Sequence, residues 1–254
     1  PEGPGPPPPP PVPEVVVPAA PRPPKTSCRK VFQFLHEIVT AMAVSYPSLS
    51  LKLFLQSAVA ADSCDLHAIA YEFMSQAFVL YEDELTDSRA QVSALNLMVG
   101  TLLSCAGFDA EDYDALITKT TQYAAKLLKK TDQCKMVTLC SHLFYRPDGK
   151  YPDAKRSLEC LQRGLKIADG CMASSANVHL FVSILDAYLY HLELGSPLIQ
   201  GKYIEGLAAL ISEHVDGMDH GEQRQRVEEA YGATLGYVRR RKGEGKERFA
   251  DIKV

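Results

Sequence analysis

The prolines of this chain are distributed very unevenly, which limits what each part can fold into. Of its 17 prolines, 13 lie within residues 1–24. Proline fixes φ and lacks an N–H group, so this stretch is unsuited to helix or sheet and favours polyproline II. We expect a disordered proline-rich linker over residues 1–26, with folded structure beginning near Ser27. Such a segment could also bind an SH3- or WW-type groove, although a spacer is the commoner role.

After Ser27, apolar residues recur with the 3.6-residue period of an α-helix. Val178, Phe181 and Leu185, for example, fall on one face, and no alternating run predicts a strand. Residues suited to cap a helix N-terminus are Ser50, Asp65, Asp87, Asp109 or Asp112, Asp132 and Ser174. The pattern predicts an all-α fold of about ten helices, near residues 28–45, 49–62, 65–85, 88–106, 111–129, 132–146, 153–170, 174–194, 200–216 and 221–242.

The spacing of these helices indicates how they are arranged. The joining segments are short, so neighbouring helices run antiparallel, with roughly 43 residues per pair, the scale of HEAT and armadillo repeats. The helix at 65–85 is apolar over most of its circumference, as expected where a helix contacts both its partner and the next pair. We interpret residues 27–242 as a HEAT-like α-solenoid and residues 243–254 as a charged C-terminal tail. A closed ten-helix bundle is the alternative.

Charge and hydropathy exclude several classes of protein. Residues 239–254 hold seven basic and three acidic side chains, whereas the whole chain carries a net charge of −4. Since residues 1–26 are neutral, the negative charge lies in residues 27–238. This acidic body disfavours a nucleic-acid partner. The chain shows no signal peptide and no apolar run long enough to span a membrane. We expect a cytoplasmic protein and, since Pro1 rather than Met is first, a piece of a longer one.

The residue patterns of common catalytic and cofactor sites are missing from the sequence. No C-x-x-C, H-x-x-x-H, phosphate-binding glycine loop or G-x-S-x-G is present. The seven cysteines are interpreted as small buried hydrophobic residues. The histidines within helices are interpreted as partly exposed: His36, His67, His179, His191 and His214. We therefore expect no enzyme, no metal site and no cofactor.

One segment, residues 126–145, carries two apolar faces instead of one. Its predicted core stripe consists of Met136, Val137, Cys140 and Phe144. Leu139, His142 and Tyr145 follow one another at intervals of three on a different face. This second face is either a packing surface between repeats or a patch that binds a partner.

Three stretches resemble a known family: Tyr71–Leu85 (YEFMSQAFVLYEDEL), Ala125–Lys130 (AKLLKK) and Cys140–Phe144 (CSHLF). They are similar to the C-terminal region of vacuolar protein sorting-associated protein 35, the large solenoid subunit of the retromer coat. The similarity extends, with gaps, over about residues 30–240. It implies a non-enzymatic α-solenoid scaffold of an endosomal sorting coat that supports retrograde transport of membrane cargo.

The resemblance also implies a partner. In this family the C-terminal solenoid wraps a small phosphoesterase-fold subunit, vacuolar protein sorting-associated protein 29, and covers its metal-site side. Carried over to this chain, partner binding falls on Lys129, Lys130, His142, Leu143, Phe144 and Tyr145, and the second face of the segment adds Leu139. The alternative role of Leu143 and Phe144 is in the core. Other coat subunits and regulators, with peripheral contact to endosomal membranes, are further implied partners. The chain departs from the family in having Thr131 where Pro is usual and Tyr145 where Trp is usual.

Two other functions compete with this interpretation. A generic helical-repeat adaptor of another vesicle-coat or trafficking complex would share the fold but bind a different partner. An all-α enzyme would need a pocket with convergent polar groups, and no group of residues in the sequence supplies one.

Overall fold

The computed structural model describes residues 26–146, 149–171 and 177–254, together with Gly3. These residues form eleven α-helices and no strand, which confirms the all-α prediction. The helices are α1 (Cys28–Ala43), α2 (Pro47–Asp62), α3 (His67–Asp83), α4 (Ser88–Ser104), α5 (Ala110–Lys126), α6 (Lys130–Phe144), α7 (Ala154–Asp169), α8 (His179–Glu193), α9 (Gly201–Asp216), α10 (Glu222–Gly243) and α11 (Glu247–Ala250). The linker predicted over 1–26 lies outside the described residues, apart from Gly3 and Thr26.

The helices contact their neighbours in chain order, as in a solenoid. Most consecutive helices pack together. In addition, each even-numbered helix packs against the next even-numbered one, so α2, α4, α6, α8 and α10 form a continuous row. The buried apolar side chains form two successive clusters, one built mainly on α1–α6 and the other mainly on α7–α11. The clusters meet where α6 and α7 contribute residues to both. A core that extends along the chain in this way is consistent with an α-solenoid rather than a closed bundle.

Two of the predicted caps are confirmed and three are wrong. The carboxylates of Asp87 and Asp109 each accept a hydrogen bond of 2.8 Å from a backbone N–H in the first turn of α4 and α5. Helix α2 instead begins at Pro47, whose missing N–H costs nothing in a first turn, so Ser50 lies inside the helix. The residues that flank the starts of α3 and α6 are Leu66 and Lys129, so Asp65 and Asp132 are not caps. Ser174 lies outside the described residues.

The end of the chain differs from the tail expected over 243–254. After α10 the backbone reverses at Gly245, where φ is +71°, and α11 follows. Phe249 and Ile252 are buried in the second core cluster. The Lys253 N–H donates a 2.8 Å hydrogen bond to the Glu205 carboxylate on α9. Two apolar side chains among many charges are therefore enough to fold this end against the solenoid.

No helix among the described residues combines the length and the apolar character needed to cross a lipid bilayer.

Candidate functional site

A cleft of about 510 Å³ opens between α4, α6 and α8. Three successive even-numbered helices form its walls, so the solenoid packing itself creates it. The side chains that line it include Val92 and Asn96 from α4, Asp132, Lys135, Leu139 and His142 from α6, and Ser183, Asp186 and Tyr190 from α8. The cleft thus combines apolar walls with polar groups contributed by all three helices.

Leu139 and His142 reach this cleft because α6 has two faces. Val137, Cys140 and Phe144 are buried in the first core cluster and hold one face of the helix against its neighbours. Leu139 and His142 are one turn apart and half-buried. Two of the three residues predicted to share this face, Leu139 and His142, therefore line the cleft, whereas Tyr145 does not.

His142 belongs to a cluster of aromatic rings that joins α6 to α8. Its imidazole meets the edge of the Tyr190 ring at a centroid distance of 4.4 Å and stacks on the His191 ring at 5.1 Å. Burial lowers the pKa of His142, which favours the neutral imidazole. A neutral, partly apolar ring beside the half-exposed Tyr190 is suited to contact another protein.

His191 is fully buried, so its predicted partial exposure is wrong. Its Nε2 atom shares a 2.9 Å hydrogen bond with the Ser141 hydroxyl and lies 3.4 Å from the Ser157 hydroxyl. These partners come from α6 and α7 and satisfy one ring nitrogen, while Nδ1 has no hydrogen-bond partner among the described residues. Burial, with a smaller effect of His142, lowers the pKa of His191 to about 3.

The remaining candidate residues lie away from the cleft. Lys129 and Lys130 are exposed at the start of α6, roughly 18 Å along the helix axis from His142. Leu143 and Phe144 are 2% and 4% exposed and belong to the first core cluster. The half-buried Tyr145 donates a 3.2 Å hydrogen bond to the Gly195 carbonyl, which anchors the end of α6 to the turn after α8. Of the seven candidates, the cleft brings together only Leu139 and His142.

Sequence reasoning missed the contributions of α4 and α8. Tyr190 is 43% exposed, although it belongs to the last turn of the strongly apolar α8. Asp186 accepts a 2.7 Å hydrogen bond from the Thr234 hydroxyl and so connects the cleft wall to α10. Tyr190 does not belong to the apolar stripe of its helix, so the sequence could have indicated that its ring faces away from the core. Asn96 carries no comparable signal, since its place in the cleft depends on tertiary packing.

Apolar, aromatic and polar side chains line the cleft together. Among the described residues, no group of three histidine, cysteine or acidic side chains is arranged to hold a metal ion. The lining includes Leu139, Tyr190 and the His142 imidazole, with Asp132 and Lys135 among its polar groups. Such a mixture of apolar, aromatic and polar groups also occurs at protein–protein interfaces.

Comparison with known proteins identifies the family. Residues 20–214 match the family model described as Vacuolar protein sorting-associated protein 35. The chain is 43% identical over 237 residues to vacuolar protein sorting-associated protein 35A of Arabidopsis thaliana, an alignment covering 89% of this chain and 30% of that protein. It is 39% identical over 194 residues to vacuolar protein sorting-associated protein 35 of Schizosaccharomyces pombe, covering 74% of this chain and 23% of that protein.

These matches confirm the resemblance carried by the three short stretches, and they also set its extent. The chain spans about 30% of the length of the Arabidopsis relative. The family model, by contrast, covers more than half of this chain and most of its described helices. The chain therefore belongs to the vacuolar protein sorting-associated protein 35 family.

Proposed function

We propose that this chain is part of the scaffold subunit of a retromer-like endosomal sorting coat and performs no catalysis. In this proposal it binds the small phosphoesterase-fold subunit, vacuolar protein sorting-associated protein 29, and thereby supports retrograde transport of membrane cargo. The observation that carries the proposal is the cleft of α4, α6 and α8, which holds Leu139 and His142 together with the exposed Tyr190. Family membership supports the same function.

The cleft has the features of the centre of an interface rather than its edge. Tyrosine is among the residues that contribute most when truncated at protein interfaces, and Tyr190 is held in place by the His142 ring. A stable interface buries about 800 Å² on each partner, more than one cleft provides. We therefore place Leu139, His142 and Tyr190 at the centre, with Lys129 and Lys130 at the periphery.

The other candidate residues act indirectly in this proposal. Leu143 and Phe144 hold α6 in the core, and Tyr145 anchors its C-terminal end through the Gly195 carbonyl. Substitution at these positions would disturb the cleft by moving α6 rather than by removing a contact with the partner. The scaffold works in the cytoplasm in this proposal and reaches endosomal membranes peripherally, through other coat subunits.

Calorimetric titration of the full chain with the purified small retromer subunit tests the proposal. Tyr190→Ala removes the exposed ring at the centre of the cleft, and Asn96→Arg places a charge in its opposite wall. Tyr46→Ala is a matched control, because Tyr46 is 61% exposed and lies between α1 and α2, outside the cleft. We expect both cleft variants to weaken binding at least about tenfold, which is at least about 1.4 kcal/mol, and the control to bind like the parent.

The possible outcomes show separately whether the proposed partner is right and whether the proposed binding site is right. Failure of the correctly folded parent chain to bind would reject this partner, and binding to a different coat component would then favour the generic adaptor. Unchanged affinity in both cleft variants would keep the partner but reject the cleft. Circular dichroism of each variant shows whether a loss of binding reflects a loss of helix.

A further inference from the structure

An aromatic groove of about 550 Å³ lies between α1 and α3, both of which pack against α2. Its lining includes Phe32 and Phe73, which are 7% and 1% exposed and whose ring centroids are 6.0 Å apart. The His36 ring also lines the groove, with its centroid 5.9 Å from that of the Phe73 ring. Because Phe32 and Phe73 are buried, their rings lie at the base of the groove.

The rim of this groove carries charged side chains. Arg29 and Glu37 from α1 and Glu72 from α3 line it and are exposed. The Nε2 atom of His36 has no hydrogen-bond partner among the described residues and lies 4.0 Å from a Glu72 carboxylate oxygen. An occupant that fits this groove therefore combines apolar rings for the base, free carbonyl groups for the imidazole and a basic side chain for the two glutamates.

The proline-rich residues 4–25 have this combination of groups. They lie outside the described part of the chain and lead into the start of α1, which is one wall of the groove. Pro18 and Pro21 are separated by two alanines, and Arg22 follows directly. Segments with two prolines at this spacing bind aromatic-lined grooves as polyproline II, a conformation that leaves the backbone carbonyls free.

The lengths of the groove and of the segment agree. The groove extends along α1 from Arg29 to Glu37, which is roughly 12 Å along the helix axis. In polyproline II, the distance from Pro18 to Pro21 is roughly 9 Å. Residues 22–27 can span up to roughly 20 Å, so the chain can turn back at the start of α1 and reach either end of the groove.

We propose that the groove between α1 and α3 binds the proline-rich segment of its own chain. Pro18 and Pro21 pack on the aromatic base, and the Arg22 guanidinium pairs with the carboxylates of Glu37 and Glu72 on the rim. Attachment to α1 keeps the segment at an effective concentration of about 1 mM, so a weak intrinsic affinity is enough to fill the groove. The bound segment covers the groove and joins α1 to α3.

Photo-cross-linking within the full chain tests the proposal. Benzoylphenylalanine in place of Ala19, between the two prolines, bonds on irradiation to the groups that its ring contacts, and peptide mass spectrometry locates the bond. We expect the cross-links to fall on residues 29–37 and 68–73 of the same chain. Ala68→Arg places a long basic side chain at an exposed position of the groove and should lower their yield at least about threefold. Ala233→Arg is the matched control, at an exposed position of α10 outside the groove, and should leave the yield unchanged.

A second variant changes the segment instead of the groove. Pro18→Ser combined with Pro21→Ser removes both rings from the cross-linking chain and should lower the yield in the groove as Ala68→Arg does. Circular dichroism shows whether each variant keeps its helices.

Three results would overturn the proposal. The first is a set of cross-links scattered over several helices outside the groove. The second is an unchanged yield in the groove when either the groove or the segment is altered. The third is a cross-linked dimer, which would mean that the groove takes the segment of a second copy instead of its own.

Discussion

Ser141 and His191 share a 2.9 Å hydrogen bond in the interior, although 50 residues separate them in sequence. Ser141 lies on α6 and His191 on α8, so the bond joins two of the helices that form the cleft. Both side chains are fully buried. The polar pair sits directly behind the His142 ring, which stacks on His191. Protonation of His191 would therefore place a charge next to the His142 ring that lines the cleft.

The stability of the chain should fall on acidification through His191. Its pKa is lowered from 6.5 to about 3, so the folded chain keeps the ring neutral while the unfolded chain protonates it near pH 6.5. The stabilisation is complete above pH 6.5 and declines below it, by up to about 1.4 kcal/mol per pH unit until the pH nears 3. The stacked His142, whose pKa is also lowered, adds in the same direction.

Urea unfolding at pH 7 and pH 5 measures this effect. In His191→Gln, the difference in unfolding free energy between the two pH values should be smaller than in the parent chain. His220→Gln is the matched control, because His220 is exposed, and it should reproduce the parent's difference. An equal pH dependence in the parent and in His191→Gln would contradict the assignment.

Asp62 should stabilise the chain by holding the connection between α4 and α5. Its carboxylate accepts hydrogen bonds from the N–H groups of Ala106 at 2.9 Å and Gly107 at 3.0 Å. Asp62→Ala leaves these donors without their partner and should cost about 1–3 kcal/mol of unfolding free energy. Asp83→Ala, at an exposed position on α3, should cost less than about 0.5 kcal/mol. Chemical denaturation of the parent chain and of the two variants measures these costs. Equal midpoints for the parent and Asp62→Ala would contradict the role of Asp62.

Two glycine-to-alanine substitutions should shift stability in opposite directions. A Cβ atom at Gly107 would overlap the His67 ring and the Asp62 carboxylate, so Gly107→Ala should destabilise the chain by about 1–3 kcal/mol. Nothing lies within 4 Å of a Cβ atom at Gly100, an exposed position inside α4. Gly100→Ala should therefore stabilise the chain by about 0.5–1 kcal/mol. Thermal unfolding shows whether each variant melts below or above the parent chain. A loss of stability in both variants would contradict this interpretation.

Phe249 should anchor the folded C-terminal end. Its ring is 1% exposed and meets the Tyr237 ring of α10 at a centroid distance of 6.2 Å. Phe249→Ala removes this buried ring and should cost about 3–5 kcal/mol if the chain unfolds as one unit. Hydrogen exchange should rise first in α10 and in the turn after α8. Arg239→Ala, at an exposed position of α10, should leave the exchange unchanged.

The helices could be predicted from the sequence because their signal is local. Apolar periodicity depends on residues three and four positions apart, and it located ten of the eleven helices to within a few residues. Helix α2 begins at Pro47, two residues before its predicted start at 49, because proline is favoured in a first turn. Helix α11 has only four residues, too few for a period to be visible.

The candidate site was only partly predictable, because its remaining features depend on contacts distant in sequence. Leu139 and His142 were found from their spacing on one helix, but Asn96 and Tyr190 join them only through tertiary packing. The burial of His191 required hydroxyl groups from α6 and α7, which no pattern within α8 reveals. Leu143 and Phe144 were assigned to the partner by resemblance, although the apolar period of α6 had already predicted Phe144 in the core, where both residues lie.

The junction of the two core clusters determines how the chain loses its structure. Helices α6 and α7 contribute side chains to both clusters, and their contact includes Gly164, where an added Cβ atom would lie 2.5 Å from the Thr138 hydroxyl oxygen. In a linear array of repeats, cooperativity depends on the free energy of each interface between neighbours. The α6–α7 interface, together with the contact between α6 and α8, thus couples the two halves. If it is weakened, the chain should melt as two units instead of one, and the cleft, which draws on α4, α6 and α8, would be divided between them.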